Sequence, residues 1–254
     1  MMNNMINVVP LLTITEVLYI VPPKLAGDAS QDGARHATGD EFVELANTGD
    51  KPVDLKGWAL VDSDSWWFLT DGGKKPLDLK SKPDGKDFLF IFPACTLKPG
   101  ECAVVFNGFE QKPVGATGTG EAAAGKNEKF AGALVFTMKP ATNKVGLGND
   151  GDWVGLISPE GKFVEVVKWG KPDHDPPKEA GAVVEAPADP KGSAQRESAS
   201  GKFVDHATLG DKSRLFSPGE FKPVTSKPAD KPDPHQPQPP HPPAEPAKPT
   251  PPPR

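Results

Sequence analysis

Apolar and polar residues alternate along most of this chain, and the alternation predicts strands. In Glu41-Phe42-Val43-Glu44-Leu45, Val43 and Leu45 share one face, Glu41 joins them at the strand edge, and Phe42 and Glu44 point the other way. Asn47-Thr48-Gly49-Asp50 is turn chemistry, because Gly and Asn tolerate positive φ. The chain restarts as extended at 53–55 and, after Gly57, at 58–61. Further extended runs are expected at 13–21, 66–69, 88–92, 102–106, 133–137, 152–158 and 163–169, which gives about nine strands. The last two read as a hairpin through Ser158-Pro159-Glu160-Gly161, and Leu97-Lys98-Pro99-Gly100 marks another turn.

Helical periodicity is absent, and the one Ala-rich piece, 121–125, is short and set among glycines. Many short strands with turns between them and no helices predict a β-sandwich or barrel. The stretches 71–87, 112–129 and 171–192 are too polar or glycine-rich to form core and are expected as surface loops.

Composition changes the picture at the C-terminus. Residues 222–254 hold 14 of the 31 prolines, with Val224 as their one large apolar side chain. Such a segment cannot bury enough surface to offset its ordering entropy, so a disordered, polyproline-like tail is expected. Fully extended it would reach roughly 100 Å. The net charge of −5 comes with basic and acidic residues interleaved, which argues against a nucleic-acid partner. No run approaches the length of a membrane span. The first residues carry no Lys or Arg before Lys24 and no clear cleavage site, so they make a poor secretory signal.

The succession EFVELAN, a Gly-containing turn, VDLKGWAL and later FIFPACTLKPGE before an apolar strand resembles the lamin tail domain. That module is an immunoglobulin-like β-sandwich of nuclear lamins and, in variant form, of bacterial secreted or surface proteins. GDWVGLISPEGKFVEVVKWG is similar to the family's penultimate strand pair, and Ser193-Ala194-Gln195-Arg196 with GKFVDHATLG to the closing segment of its bacterial form. The resemblance implies an all-β sandwich of lamin-tail type over 13–221, with inserted loops, an extension at 1–12 and the Pro-rich tail at 222–254. Its fold signature is Val43, Leu45, Gly57, Trp58, Pro99 and Gly100, with Trp58 expected to fill the space between the sheets. No sustained heptads precede it, so lamin-like filament assembly is not expected.

The resemblance also implies a non-enzymatic binding or adhesion module of the bacterial cell envelope, with a protein or surface polymer as partner. A self-associating scaffold element is the alternative, and a calcium-dependent carbohydrate- or phosphoester-active protein is a third reading. Extracellular or envelope placement goes with the resemblance; the chain as written, without a leader, would be cytoplasmic.

Four groups of residues carry candidate chemistry. Cys95 and Cys102 flank a turn, so they are either a cross-strand disulfide or two small buried hydrophobes. Asn149, Asp150 and Asp152 offer oxygens for calcium but lack the spacing of an EF-hand loop, and ordinary turn composition explains them as well. His36, His174 and His206 would bind zinc only if their loops converged. Trp66-Trp67-Phe68 puts at least one aromatic ring outward beside Asp62 and Asp64, where it could stack on a sugar or a protein unless a loop covers it. No nucleophile elbow or phosphate loop is present, and no cofactor is expected apart from that calcium candidate.

Overall fold

The computed structural model describes residues 12–80, 86–117 and 125–221. The expected extension, but for Leu12, and the Pro-rich segment 222–254 lie outside these residues. The protein is an immunoglobulin-like β-sandwich. One sheet runs β15 (Phe203–Asp205), β14 (Ala194–Arg196), β1 (Leu12–Leu18), β2 (Phe42–Asn47), β7 (Cys102–Phe106), β10 (Ala133–Thr137) and β8 (Ala116–Thr117), with β9 (Lys126–Asn127) also on β10. The facing sheet runs β13 (Ala182–Glu185), β12 (Phe163–Gly170), β11 (Gly151–Ile157), β4 (Ala59–Asp62) and β5 (Leu89–Ile91). A two-stranded piece, β3 (Val53–Asp54) with β6 (Thr96–Leu97), closes one side. Most pairs are antiparallel, but β10 runs parallel to β7 and to β8, and β13 parallel to β12.

The alternation read from the sequence decides which side chains meet between the sheets. Val43 and Leu45 of β2 join Ile14, Val17, Ala103 and Val105 from their own sheet and Leu60, Val154, Leu156 and Val167 from the other. Phe42 points away, as its parity requires, and packs with Val104, Phe106 and Phe130 in a second cluster on the outer face. A third cluster, with Val61, Trp66, Trp153 and Val166, lies on the outer face of the other sheet. The stretches expected as plain surface loops therefore act as covers: Leu77, Leu79 and Ala180 pack on the third cluster and Val114 on the second.

The residues named as the fold signature take different places. Gly57 takes a φ of 79° with Pro159 against it, and Gly100 a φ of 76° beside Pro99, both turns that a side chain would strain. Trp58, expected to fill the inter-sheet space, is only half-buried at the margin of the core. The large rings deep inside are Trp169 and Tyr19, stacked at 4.1 Å and 8°. The Tyr19 hydroxyl donates to the Pro187 carbonyl and Trp169 Nε1 to the Gly148 carbonyl, so each ring buries its body and pairs its polar tip.

The run 66–69 is not a strand. It belongs to α1 (Ser63–Leu69), and the physical reason lies just before it: Asp62 Oδ1 accepts from the Ser65 N–H at 2.8 Å, an N-cap that starts a helix. This short helix changes which aromatic faces out.

Candidate functional site

Helix α1 leaves β4 at one end of the sandwich and sorts its three aromatics by helical geometry. Trp66 turns inward, with ring centroids 5.9 Å from Trp153 and 6.4 Å from Phe163. Trp67 and Phe68 turn outward, and they stay 40% and 72% exposed, which makes them the large apolar groups most open to a partner at this end. Trp67 is nonetheless held in place. Its indole stacks on the His174 imidazole at 4.3 Å and 4°, and Gly72 passes so close to it that a Cβ there would lie 3.0 Å from the ring. His174 is fixed in turn: Trp153 Nε1 donates to its carbonyl at 2.8 Å, and its Nε2 lies 3.7 Å from Asp64 Oδ1.

Beside this aromatic ridge opens a polar cleft of about 440 Å³, lined by Glu41, Ser63, Asp64, Asp152 and Asp173 among others. Asp152 is committed to structure. Its Oδ1 accepts from the Ser63 N–H and hydroxyl at 3.3 and 2.5 Å and from the Trp153 N–H at 2.7 Å, while Oδ2 accepts from the Gly148 N–H at 2.9 Å. Glu41 Oε2 accepts from the Leu147 N–H at 2.9 Å. Burial, followed for Asp62 by the nearby Asp152 charge, holds the carboxyls of Glu41 and Asp62 well above their usual range. Burial raises Asp152 too, against the pull of its hydrogen bonds. Asp64 and Asp173 are the outer carboxylates, next to the stacked rings.

The other sequence candidates do not assemble. Cys95 and Cys102 are both free thiols. The expected hairpin between them does not exist, because β6 pairs with β3 while β7 pairs with β2 and β10. Cys95 packs at the inter-sheet core and Cys102 in the outer cluster, on opposite faces of the sheet. Asn149 and Asp150 are exposed on the turn before β11 and Asp152 is buried and hydrogen-bonded, so these three do not share a ligand point. His206 is buried with Nε2 at 3.0 Å from Ser217 Oγ, far in role from His174 beneath Trp67 and from His36 in the β1–β2 loop. Among the described residues no three His, Cys, Asp or Glu side chains are arranged to hold a metal ion. No helix among them is long and apolar enough to cross a membrane.

The sequence missed the His174 contribution, and only contact across more than a hundred residues could supply it. The capping signal Asp62-Ser63-Asp64-Ser65 would have found the helix, and with it the outward pair Trp67 and Phe68.

Residues 12–171 match the family model of the Lamin Tail Domain, well over half of the chain, from β1 to the end of β12. No curated protein matches the sequence.

Proposed function

Because the chain belongs to the lamin tail domain family, whose immunoglobulin-like modules serve binding and structural roles, we propose that it is a non-enzymatic binding module of the bacterial cell envelope. The α1 end of the sandwich engages a surface polysaccharide. One observation carries this reading: Trp67, seated on His174, and Phe68 stand exposed on the helix whose Asp64 lines a cleft edged by carboxylates. Aromatic faces stack on the C–H faces of sugar rings, and the outer carboxylates Asp64 and Asp173 accept hydrogen bonds from sugar hydroxyls. Preorganisation by the His174 stack and the Trp153 hydrogen bond lowers the ordering cost of binding. The Pro-rich segment acts as a spacer between this module and its point of attachment.

The test is a calorimetric titration of the protein with purified envelope polysaccharides, in parallel with Trp67→Ala and Phe68→Ala. Binding that weakens at least tenfold in both variants supports the reading. Equal binding by all three proteins, or none to any polymer, defeats it.

A second reading has its own observation. Strand β13 is an edge of the five-stranded sheet, and its Val183 is 46% exposed. An exposed edge of this kind can add a strand from another copy, which suits a scaffold element. Sedimentation velocity decides: a concentration-dependent dimer lost in Val183→Lys favours the scaffold, and a monomer at all concentrations removes it.

A further inference from the structure

The chain after Gly210 covers the eight-stranded sheet without adding a strand to it. Residues 211–221 cross its outer face as turns and irregular chain, and Phe216 and Phe221 rest half-buried on the second cluster, which holds Phe42, Val104, Phe106 and Phe130. Among the described residues one backbone–backbone bond ties this segment to the rest, from the Ser193 N–H to the Leu215 carbonyl at 2.8 Å. A strand of this length would share several such bonds with its neighbour. Here side chains hold the segment instead.

Two of them are carboxyls. Glu16 of β1 and Glu44 of β2 are register partners, and both are wholly buried. Glu16 Oε1 accepts from the Ser217 N–H at 2.8 Å and Oε2 from the Ser217 hydroxyl at 3.1 Å. Glu44 Oε2 accepts from the Gly219 N–H at 2.6 Å. Gly219 reaches that spot because it lacks a side chain: its φ is 91°, and a Cβ would lie 2.2 Å from the Phe130 carbonyl oxygen. The Ser217 hydroxyl also meets Gln195 Nε2 at 3.1 Å and His206 Nε2 at 3.0 Å. His206 Nδ1 faces the Arg214 carbonyl at 3.0 Å and so carries a hydrogen.

The charged groups around this pair do not balance it. Arg214 is engaged by Glu220 at 3.0 Å, and Glu220 adds its repulsion to that of Glu16 at Glu44. From β7 the Cys102 thiol faces Glu44 and stays neutral, because burial holds its proton. His206 draws Glu16 toward the charged form against its burial, and Asp211 lies near enough to offset that pull. Two neighbouring carboxylates in a dry site do not both ionise unless water reaches them. The segment above them is the part of their cover that a sheet does not hold.

We propose that residues 211–221 are a proton-gated strap, closed over the outer face of the eight-stranded sheet while Glu16 and Glu44 keep protons and opening as those protons leave. Closed, the carboxyls are dry and grip the Ser217 and Gly219 amides. Open, they are solvated as ordinary carboxylates, and the strap bares Phe42, Phe106 and Phe130. The open form releases protons that the closed form keeps, so rising pH drives opening. The strap is separate from the α1 face and stands or falls apart from the polysaccharide reading.

The test is amide hydrogen exchange of the full-length protein, followed by NMR in steps upward from pH 4.5, the ordinary carboxyl value, and corrected for intrinsic rates. The opening constant at Ser217 and Gly219 should rise with pH, by up to about tenfold per unit for each proton released. Leu45, central in the sheet, reports global unfolding. The strap amides should open more readily than Leu45 at every pH and respond little to low denaturant, because a local opening exposes little surface. Glu44→Gln should lessen the rise. Strap amides that exchange only together with Leu45, an opening constant that stays level or falls with pH, or a rise left intact in Glu44→Gln would each overturn the gate. The wild-type measurement needs no variant to fold.

Discussion

Arg196 and Glu165 join the two sheets through a buried ion pair. Arg196 Nη2 on β14 lies 2.5 Å from Glu165 Oε1 on β12, and both side chains are almost wholly buried. Each also pairs with Ile14 of β1: Glu165 Oε2 accepts its N–H at 2.8 Å, and Arg196 Nε donates to its carbonyl at 2.9 Å. The pair thus satisfies two backbone groups at a point where β14, which registers with β1 only at Glu16 and Val17, does not reach.

Arg196→Met should therefore be severe, since it strands a buried carboxylate and the Ile14 carbonyl together. A loss of about 3–5 kcal/mol in denaturant unfolding is expected. Adding Glu165→Met removes the stranded charge and should recover part of the loss, but not the Ile14 bonds. Equal stability of wild type and Arg196→Met would mean the pair bears no such role.

A second prediction concerns pH. Glu16 and Glu44 are register partners on β1 and β2, buried beneath the closing segment. Glu16 accepts from Ser193 and from the Ser217 N–H and hydroxyl, Glu44 from Thr15 and the Gly219 N–H. Burial raises both carboxyls above their usual value of 4.5. Repulsion from Glu16 and Glu220 adds to the shift at Glu44, while His206 and the serines pull Glu16 back down. A folded-state value above the unfolded one means that the fold holds protons the unfolded chain releases. Stability is then complete below the unfolded value and falls as pH rises through the raised one, by about 1.4 kcal/mol per pH unit for each such proton. Tm should therefore drop as pH rises above the ordinary carboxylate value of 4.5. Glu44→Gln should flatten the drop, because its amide can donate to Thr15 Oγ1 and accept from Gly219. A Tm that climbs over this range would show these carboxyls charged in the fold.

The thiols supply a third test. Burial, with Asp54 nearby, pushes Cys95 up to about 11, and burial with the Glu44 charge pushes Cys102 up further. The thiolate is the reactive form, so both should alkylate slowly in the native protein near neutral pH, the half-buried Cys95 ahead of Cys102. Unfolding without reductant should then release two thiols to the reagent, read by intact mass. Thiols that appear only after reduction would contradict the separation of the two residues.

The strands were legible where packing repeats every second residue. The parity of Phe42-Val43-Glu44-Leu45 matches the two clusters that β2 touches, and the hairpin of β11 and β12 follows from its turn. The short strands β6, β8, β9 and β13 were not legible, since two to four residues carry no period and their partners lie far along the chain. The disulfide alternative for Cys95 and Cys102 failed for that reason: Thr96 and Leu97 pair with Asp54 and Val53, not with β7, and both cysteines pack as free thiols in apolar clusters. At the site, the outward aromatics were legible as a group, but their sorting needed α1, and the cap that starts it at Asp62 shows only once its Oδ1 is seen to accept from the Ser65 N–H. The residues 149–152 show a related limit: Asp152 turns its oxygens to backbone N–H groups, which the residue types along a turn do not reveal.

The last prediction separates the aromatics of α1 by burial, and with it structure from binding. Trp66 is 7% exposed and touches Trp153 and Phe163, so Trp66→Ala opens a cavity in the third cluster and should cost about 3–5 kcal/mol. Phe68 leaves most of its ring in solvent, so Phe68→Ala should alter stability by no more than about 0.5 kcal/mol. Trp67 falls between the two: losing its stack on His174 forfeits about 0.5–1.5 kcal/mol. Thermal and denaturant unfolding of the three alanine variants would rank them 66, 67, 68 in order of damage. A large loss for Phe68→Ala would mean that this ring is covered by the protein itself, and the binding face proposed here would lose its basis. Stable Trp67→Ala and Phe68→Ala proteins would instead give folded variants in which any change of polymer binding belongs to the surface alone.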